Sequence, residues 1–237
     1  MRNYNEVDPE QYDTRHERKP SERYDHDHWR PLIESAISRY CENKLVLDLG
    51  CGTGAYTKSI AQHANLALGL DISKRMLTYA KETKYGSFSL ALADVHHIPL
   101  KAKSIDAVVS IGLFECVERV TALEEINRVL KPQGICIIGC ANKYSAWGMV
   151  LKIACKVFGR EWAWKEPSYR EMLMLLKQKG FEVMEFKMDD GLIWLPDFLD
   201  RLVGRRIYLS IEKLFRIVGK NPFSSGLLFV GRKARSR

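Results

Sequence analysis

Residues 45–54 combine a short apolar run, one acid and three glycines at alternate positions, Leu-Val-Leu-Asp-Leu-Gly-Cys-Gly-Thr-Gly. The glycines are Gly50, Gly52 and Gly54. Four apolar residues within five positions are typical of a parallel strand that is buried on both faces. Glycines leave no Cβ atoms in the following turn, so a ligand can lie directly against the backbone. We therefore predict a strand that ends near Asp48 and a ligand-binding turn that includes Cys51.

A second acid follows the glycines at the distance that a nucleoside ligand requires. Residues 66–71 read Leu-Ala-Leu-Gly-Leu-Asp, which predicts another buried strand that ends in Asp71. An acid at this place in a doubly wound sheet accepts hydrogen bonds from ribose hydroxyls. The glycine spacing is G-x-G-x-G, whereas dinucleotide sites use G-x-G-x-x-G. Because a carboxylate at Asp48 would repel a pyrophosphate, we expect a ligand with a cationic or hydroxyl-rich end.

At these residues the chain resembles the class I S-adenosylmethionine-dependent methyltransferases. Within them it is most similar to the type 11 group, which includes the ubiquinone and menaquinone biosynthesis methyltransferases. The resemblance extends from Leu45 to Gly139 and includes Ala-Asp-Val at 93–95 and Glu-Glu-Ile-Asn-Arg-Val-Leu-Lys-Pro-Gln-Gly at 124–134. It implies S-adenosylmethionine as the cofactor and methyl transfer as the reaction.

The resemblance implies a role for each matching residue. Asp48 and the glycine turn would hold the methionine part of the cofactor, and Asp71 would hold the ribose. Ile72 would lie against the adenine, and Asp94 with Val95 would face the adenine amine. These roles place one ligand across the ends of three successive strands.

Two further parts complete the predicted cofactor site. Ser110 and Ile111 end the fourth predicted strand and therefore reach the same edge as the acids. Residues 1–26 are almost wholly polar and are predicted to form an N-terminal arm or lid, with a disordered tail as the alternative. Within this arm, Tyr24 is the candidate for closing over the cofactor, and residues 27–237 are predicted to form one methyltransferase domain.

Strands and helices alternate along the chain, which predicts a parallel sheet with helices on both faces. The predicted strands lie near 45–49, 66–71, 87–93, 105–111, 134–140, 181–188 and 226–232. The predicted helices lie near 28–42, 54–63, 73–83, 120–131 and 168–179. The fold class is α/β, with a Rossmann-like, doubly wound sheet of seven strands, and the resemblance implies an antiparallel last strand.

Two segments are longer than the connections that this alternation of strands and helices requires. They are predicted to be helical cap insertions, near 142–165 and 189–222. Both begin where a strand ends at the ligand edge, so they would lie above the crevice that receives the methyl acceptor. They contain many large apolar residues: Trp147, Phe158, Trp162, Trp164, Trp194, Leu195, Phe198 and Phe215. Such lids suit a small lipophilic or aromatic acceptor, although the same residues could simply complete the core of a larger cap.

The positive charge of the chain is concentrated near its C-terminus. The net charge is +8, and residues 201–237 contain ten Lys or Arg residues against one acid, Glu212. A basic amphipathic helix there would suit peripheral contact with an anionic membrane. An RNA (tRNA) methyltransferase that uses this segment for phosphates is an alternative, with nucleic acid disfavoured because an apolar stripe shares the helix. A non-catalytic, cofactor-binding regulatory module is another alternative.

Composition limits the remaining function classes. The chain has 237 residues, which suits one domain with a substantial core. Residues 1–30 lack the apolar block of a signal peptide, and no long apolar run predicts a membrane span, so a cytoplasmic protein is expected. Six cysteines are scattered without paired spacing, which predicts neither disulfides nor a metal site. The sequence does not indicate an oligomeric state.

The acceptor side offers one candidate catalytic residue. Methyl transfer from a sulfonium is an in-line displacement, and a general base is needed only if the acceptor must lose a proton. Glu115 follows the fourth predicted strand and is a candidate base or orienting carboxylate; the alternative is a solvated or helix-capping acid. His96 and His97 are interpreted as loop residues, with a role as bases as the alternative.

Overall fold

The computed structural model describes residues 7–14, 20–83, 86–162, 164–188 and 224–235. Within these residues, seven strands form one sheet: β1 (Leu45–Leu49), β2 (Leu66–Asp71), β3 (Phe88–Leu92), β4 (Ile105–Ile111), β5 (Leu130–Ala141), β6 (Phe181–Met188) and β7 (Gly226–Lys233). Their spatial order is β3-β2-β1-β4-β5-β7-β6. Strands β1 to β5 pair in parallel, whereas β7 is antiparallel to both β5 and β6. The predicted fold class, including the antiparallel last strand, is confirmed.

The helices of the described residues cover both faces of this sheet. They are α1 (Pro9–Asp13), α2 (Pro20–Tyr40), α3 (Ala55–Ile60), α4 (Lys74–Thr83), α5 (Arg119–Val129), α6 (Ala146–Val157) and α7 (Tyr169–Gln178). Two of them differ in length from the sequence prediction. Helix α2 begins at Pro20, eight residues earlier than predicted, because a proline is favoured in the first turn. Helix α3 ends at Ile60, since residues 61–63 continue as turns.

Strand β5 is longer than predicted because it follows α5 without a loop. Leu130 ends the helix and already pairs with Ile105 at the start of β4. The register then shifts, and the regular pairing of Ala107 with Ile135 begins further along. The apolar run from 135 to 140 was therefore only the buried part of the strand.

Two apolar clusters fill the spaces between the sheet and its helices. On one face, Ile33 and Ile37 of α2 pack with Ile60 of α3 against the strands. On the other face, Ile126 of α5 and Met172 of α7 pack against the strands. All five side chains are fully buried. Helices α2, α3, α5 and α7 therefore bury apolar residues against the strands, which leaves the strand ends free to form a site.

The two predicted insertions differ in how far the structure describes them. The first forms α6 and an extended connection that leads to α7. The second, at 189–222, lies outside the described residues. The division of the chain at 26 and 27 stays a prediction, and α2 runs across that position. Among the helices that are described, none combines the length and apolar character needed to span a bilayer.

Strand β7 joins the sheet through an aromatic cluster. The ring of Phe229, which is 1% exposed, lies 4.9 Å from the ring of Phe186 on β6. It also stacks at 6.0 Å on Tyr169 at the start of α7. These contacts tie the antiparallel strands to the helix that covers them.

We predict that Phe229→Ala lowers the free energy of unfolding by about 3–5 kcal/mol, because it leaves a cavity among packed rings. Phe158→Ala is the matched control, since Phe158 is 77% exposed and its truncation should change stability by less than about 0.5 kcal/mol. Urea unfolding followed by circular dichroism measures both. Equal losses in the two variants would contradict this description of the core.

Candidate cofactor and acceptor site

The turn after β1 has a backbone that only glycine adopts readily. Gly50, Gly52 and Gly54 have φ angles of +76°, +52° and +79°, in the left-handed region where a Cβ atom is strained. The backbone N–H groups of Gly50 and Cys51 donate to the carbonyl of Leu70, at 2.8 and 3.0 Å. The glycine pattern therefore builds a bare turn that is held against the end of β2.

Asp48 lies beneath this turn and is almost completely buried. Its side chain is 3% exposed, and Thr57 Oγ1 on α3 donates to its Oδ2 at 2.5 Å. Burial raises the pKa of Asp48 to about 7, although the hydrogen bond from Thr57 opposes this change. Asp48 is thus an acid whose charge depends on what binds beside it.

Asp71 connects the glycine turn to the loop after β2. Its Oδ2 accepts the backbone N–H of Gly52 at 2.8 Å, and its Oδ1 accepts the backbone N–H of Ser73 at 2.8 Å. Burial raises the pKa of Asp71, while these backbone N–H groups lower it. The backbone N–H of Ile72 also binds this carboxyl, and since a carboxylate has about four acceptor sites, one remains for a further donor. The adjacent Ile72 is 59% exposed, so its apolar side chain is available to a ligand.

The loop after β3 brings a third acid to the same edge. Asp94 Oδ1 accepts the backbone N–H of His96 at 2.9 Å, and His96 Nδ1 lies 2.7 Å from the same oxygen. The backbone N–H of His96 is the main cause of the lowered pKa of Asp94. Asp94 Oδ2 takes no part in these contacts, and Val95 is buried beside it. His96 and His97 both lie in the loop after β3, as predicted; His97 is exposed, and His96 contacts Asp94.

The end of β4 places Ser110 and Ile111 between these loops and the acceptor side. Ser110 is fully buried, and its Oγ has no hydrogen-bond partner. Ile111 is partly buried, and Gly112 follows with a φ of +71°. The backbone N–H of Gly112 donates to the carbonyl of Gly139 at 2.8 Å. This bond holds the ends of β4 and β5 together.

The N-terminal segment also touches the site. Asp13, at the end of α1, accepts a hydrogen bond of 2.9 Å from Thr53 Oγ1 in the glycine turn. Asp8 pairs with Arg75 of α4 at 3.2 Å. Tyr24 lies within α2, and its side chain is outside the described part of the chain.

Sequence reasoning missed two of these contacts, that of Thr53 with Asp13 and that of Thr57 with Asp48. A buried acid needs a donor, and a hydroxyl in the first turn of the next helix was the signal that could have identified Thr57. No local pattern indicated Asp13, because it lies 40 residues from Thr53.

Glu115, the candidate acceptor-side acid, is neither solvated nor a helix cap. It is 8% exposed, and its Oε1 accepts the backbone N–H of Ala141 at the end of β5. Its Oε2 is buried without a partner, and burial is the main cause of its raised pKa. The alternative interpretation is therefore wrong: the N-terminus of α5 is capped by Glu118, which accepts the N–H groups of Val120 and Thr121.

Hydrogen bonds and ion pairs hold the first insertion against this edge of the sheet. Arg119 donates to the carbonyl of Lys165 at 2.6 Å and to Glu171 Oε1 at 2.5 Å. Lys152 of α6 pairs with Glu166 at 3.1 Å, and the indole Nε1 of Trp162 donates to the same carboxylate at 2.9 Å. These bonds fix α6 and its connection beside the crevice.

The geometry brings the predicted cofactor residues to one edge of the sheet. Asp48, Asp71 and Ser110 lie at the ends of β1, β2 and β4, and Asp94 follows β3. The carboxyl ends of parallel strands are where open α/β sheets bind ligands. Among the described residues, no group of three or more His, Cys, Asp or Glu side chains is arranged to hold a metal ion.

Comparison with known proteins finds similarity over the same part of the chain. Residues 47–138 match the family model described as a methyltransferase domain. An uncharacterized protein of Methanocaldococcus jannaschii is 38% identical over 116 residues, which cover 48% of this chain and 43% of that protein. A demethylmenaquinone methyltransferase of Staphylococcus haemolyticus is 29% identical over 192 residues, which cover 70% of this chain and 80% of the relative. The chain thus spans less than half the length of the Methanocaldococcus jannaschii protein.

A solved structure extends the likeness to nearly the whole fold. A protein of Haloferax volcanii, solved in complex with the Trm112 methyltransferase activator, superposes with a TM-score of 0.67. The match covers 91% of this chain and 94% of that chain at 22% identity. At this identity the likeness concerns the fold.

We predict that Asp48→Asn becomes increasingly stabilising as the pH rises. The folded protein keeps Asp48 protonated up to about pH 7, whereas the unfolded chain releases that proton near about pH 4. Raising the pH through this window therefore lowers the stability of the wild type, and Asn removes that contribution. The difference in unfolding free energy should grow to about 3–4 kcal/mol. Urea unfolding at several pH values measures it.

The control for this experiment is Glu182→Gln, because Glu182 is an exposed acid on β6. Its stability difference from the wild type should not change across the same pH window. If the stability difference between Asp48→Asn and the wild type did not change with pH, the buried carboxyl would be ionised throughout this window.

Proposed function

We propose that this chain is an S-adenosylmethionine-dependent methyltransferase, as the match of residues 47–138 to a methyltransferase domain supports, and from that premise we propose its acceptor and residue roles. The proposal is in-line transfer of the methyl group to a small lipophilic or aromatic acceptor. The observation that carries the cofactor roles is the pair of acids, Asp48 and Asp71, on either side of one glycine turn.

The residues present fit the cofactor. A Cβ atom at Gly52 would have no protein atom within 4 Å, so the turn opens onto free space where a ligand can lie against the backbone. Asp48 has the charge and position to bind the ammonium of the methionine part. Asp71 has a free acceptor site for a ribose hydroxyl, and Ile72 offers an exposed apolar face to the adenine. Asp94 Oδ2 is the acceptor proposed for the adenine amine.

The cofactor, when bound, supplies a methyl group on a sulfonium that carries the reactivity. The chain then has to hold both reactants in line and keep water away. Asp48 would be ionised by the ammonium beside it, since an opposite charge favours the carboxylate. The short bonds that join Gly52 with Asp71 and Gly112 with Gly139 keep the reacting edge rigid.

Glu115 is proposed as an acceptor-side positioning residue. Its carboxyl bridges the ends of β4 and β5 through Ala141, and its remaining oxygen has no partner. Because burial and the nearby Glu166 raise its pKa, the neutral form can donate a hydrogen bond. A general base would need the opposite protonation state, so orientation of an acceptor oxygen is the better-supported role.

The acceptor class is inferred from the surroundings of the crevice. The first insertion begins where β5 ends at the ligand edge and contains large apolar residues such as Trp162; apolar linings suit lipophilic ligands. The relative from Staphylococcus is named for a quinone acceptor, which is consistent with a small, ring-containing molecule. A lipophilic acceptor would reside in a membrane, so peripheral contact with an anionic bilayer belongs to the proposal.

The alternative of an RNA acceptor has less support among the described residues. The basic segment at 201–223 lies outside them. Further along, Lys233 Nζ donates to the carbonyls of Asn127 and Leu130, at 2.5 and 2.8 Å. A lysine committed to carbonyl groups in this way is not available to phosphates.

We predict that Asp71→Ala weakens S-adenosylmethionine binding by at least about 100-fold, because the turn loses its anchor and the ribose its acceptor. Asp71→Asn keeps one acceptor oxygen and should lose less. Isothermal calorimetry measures both, with Glu182→Gln as a control that should bind like the wild type. Unchanged affinity in Asp71→Ala would place the nucleoside elsewhere.

We predict that the wild type transfers label from methyl-labelled S-adenosylmethionine to an organic-soluble product when host lipid and RNA extracts are supplied side by side. Glu115→Ala should reduce this rate by about 10-fold or more, whereas Glu115→Gln, which still donates a hydrogen bond, should retain most of it. Scintillation counting of the extracted phases measures the result. Label confined to RNA would contradict the proposed acceptor.

A further inference from the structure

Helix α6 carries an apolar stripe on its exposed side. Val150, Ile153 and Val157 have spacings of three and four residues and therefore share one face. Their exposed fractions are 52%, 65% and 73%. Phe158, the residue that caps the helix, is 77% exposed. These four residues, called here the α6 outer face, form a continuous apolar surface.

The side of α6 that faces the protein is held by polar contacts instead. Lys152 pairs with Glu166, and its ammonium lies 5.6 Å from the centre of the Trp162 ring. Lys152 Nζ also donates to the carbonyl of Lys143 at 3.2 Å. A surface helix normally directs its apolar stripe toward the core and its charges toward water. The stripe of Val150, Ile153 and Val157 is exposed instead, which indicates that the outer face has a partner.

The charges along the segment that carries the outer face, from 143 to 160, are all positive, and an exposed acid, Glu161, follows it. The exposed charged residues between 143 and 160 are Lys143, Lys156 and Arg160, and the sequence has no acid in that range. Tyr144, which is 51% exposed, stands beside Lys143 with its ring centre 6.0 Å from the ammonium. An apolar stripe with a basic border and an aromatic residue is typical of helices that lie in a membrane interface.

We propose that the α6 outer face binds the surface of an anionic lipid bilayer. The apolar side chains would enter the boundary between headgroups and acyl chains, and the basic residues would contact the anionic headgroups. The proposal rests on the proposed function, because a lipophilic acceptor has to reach the crevice from a bilayer. Helix α6 begins five residues after β5 ends at Ala141, so a docked outer face would bring the crevice close to the lipid.

The test is sedimentation of the full chain with vesicles of two compositions. Equimolar phosphatidylglycerol and phosphatidylcholine supply the anionic surface, and pure phosphatidylcholine is the neutral one. The wild type should bind the anionic vesicles and lose affinity when salt is raised to about 0.5 M, because screening weakens headgroup attraction. Ile153→Asp and Val157→Asp should each lower the partition coefficient at least about tenfold.

The matched control is Met174→Asp. Met174 is 59% exposed on α7, so the substitution adds the same charge at a similarly exposed apolar residue outside the α6 outer face. Its vesicle binding should equal that of the wild type. Thermal unfolding of all variants confirms that they fold. A charge-reversed variant, Lys156→Glu with Arg160→Glu, should lose the preference for anionic vesicles while keeping the apolar stripe.

Three results would overturn the proposal. Vesicle binding that survives both α6 substitutions would place the lipid contact elsewhere. Absence of vesicle binding, together with a dimer in sedimentation that Ile153→Asp dissociates, would assign the outer face to a second copy of the chain. Absence of both would assign it to a different partner. Calorimetry with S-adenosylmethionine is run on the same samples, so loss of cofactor binding and loss of vesicle binding are separate results.

Discussion

The hydrogen bond from the Gly52 backbone N–H to the Asp71 carboxylate joins the parts on which the site depends. It connects the turn after β1 to the end of β2, and both strands also pair along their length. The turn can reach Asp71 only because its glycines adopt left-handed angles, and Asp71 can remain buried because backbone donors satisfy it. The position of Asp71, the proposed ribose acceptor, and the shape of the glycine turn therefore depend on each other.

Electrostatics give this edge of the sheet its chemical character. Asp48 and Asp71 are close enough that the charge of Asp71 contributes to the raised pKa of Asp48. Two buried acids with few cations nearby favour a ligand that brings positive charge. On the acceptor side, burial also raises the pKa of Glu115. Its Oε2 has no partner, so a neutral carboxyl could donate a hydrogen bond from that oxygen. Burial thus favours the neutral carboxyl at both ends, and only the positive charge of the proposed ligand would ionise Asp48.

The two ends of the site differ in how they are built. The cofactor end consists of strand ends and short turns, which backbone hydrogen bonds hold in place. The acceptor end depends on an insertion that side chains hold, through Arg119 with Glu171 and Lys152 with Glu166. Because those polar contacts use the inner side of α6, its apolar residues face outward. The arrangement that stabilises the insertion also creates the surface proposed to meet the bilayer.

The sequence by itself determined the strands, the sheet class and the edge of the sheet where the glycines and acids meet, because these follow from local signals. Buried apolar runs, glycines that need left-handed angles and acids at strand ends act within a few residues of each other. Only the tertiary structure decided the states of individual side chains. Glu115 looked like a solvated acid from its neighbours in sequence, yet Ala141, 26 residues away, buries and binds it. The large apolar residues of the first insertion could be read from the sequence. Which side of α6 faces the protein depends on the contacts of Lys152 with Glu166 and Trp162. Such contacts join residues that only folding brings together, so no local pattern contains them.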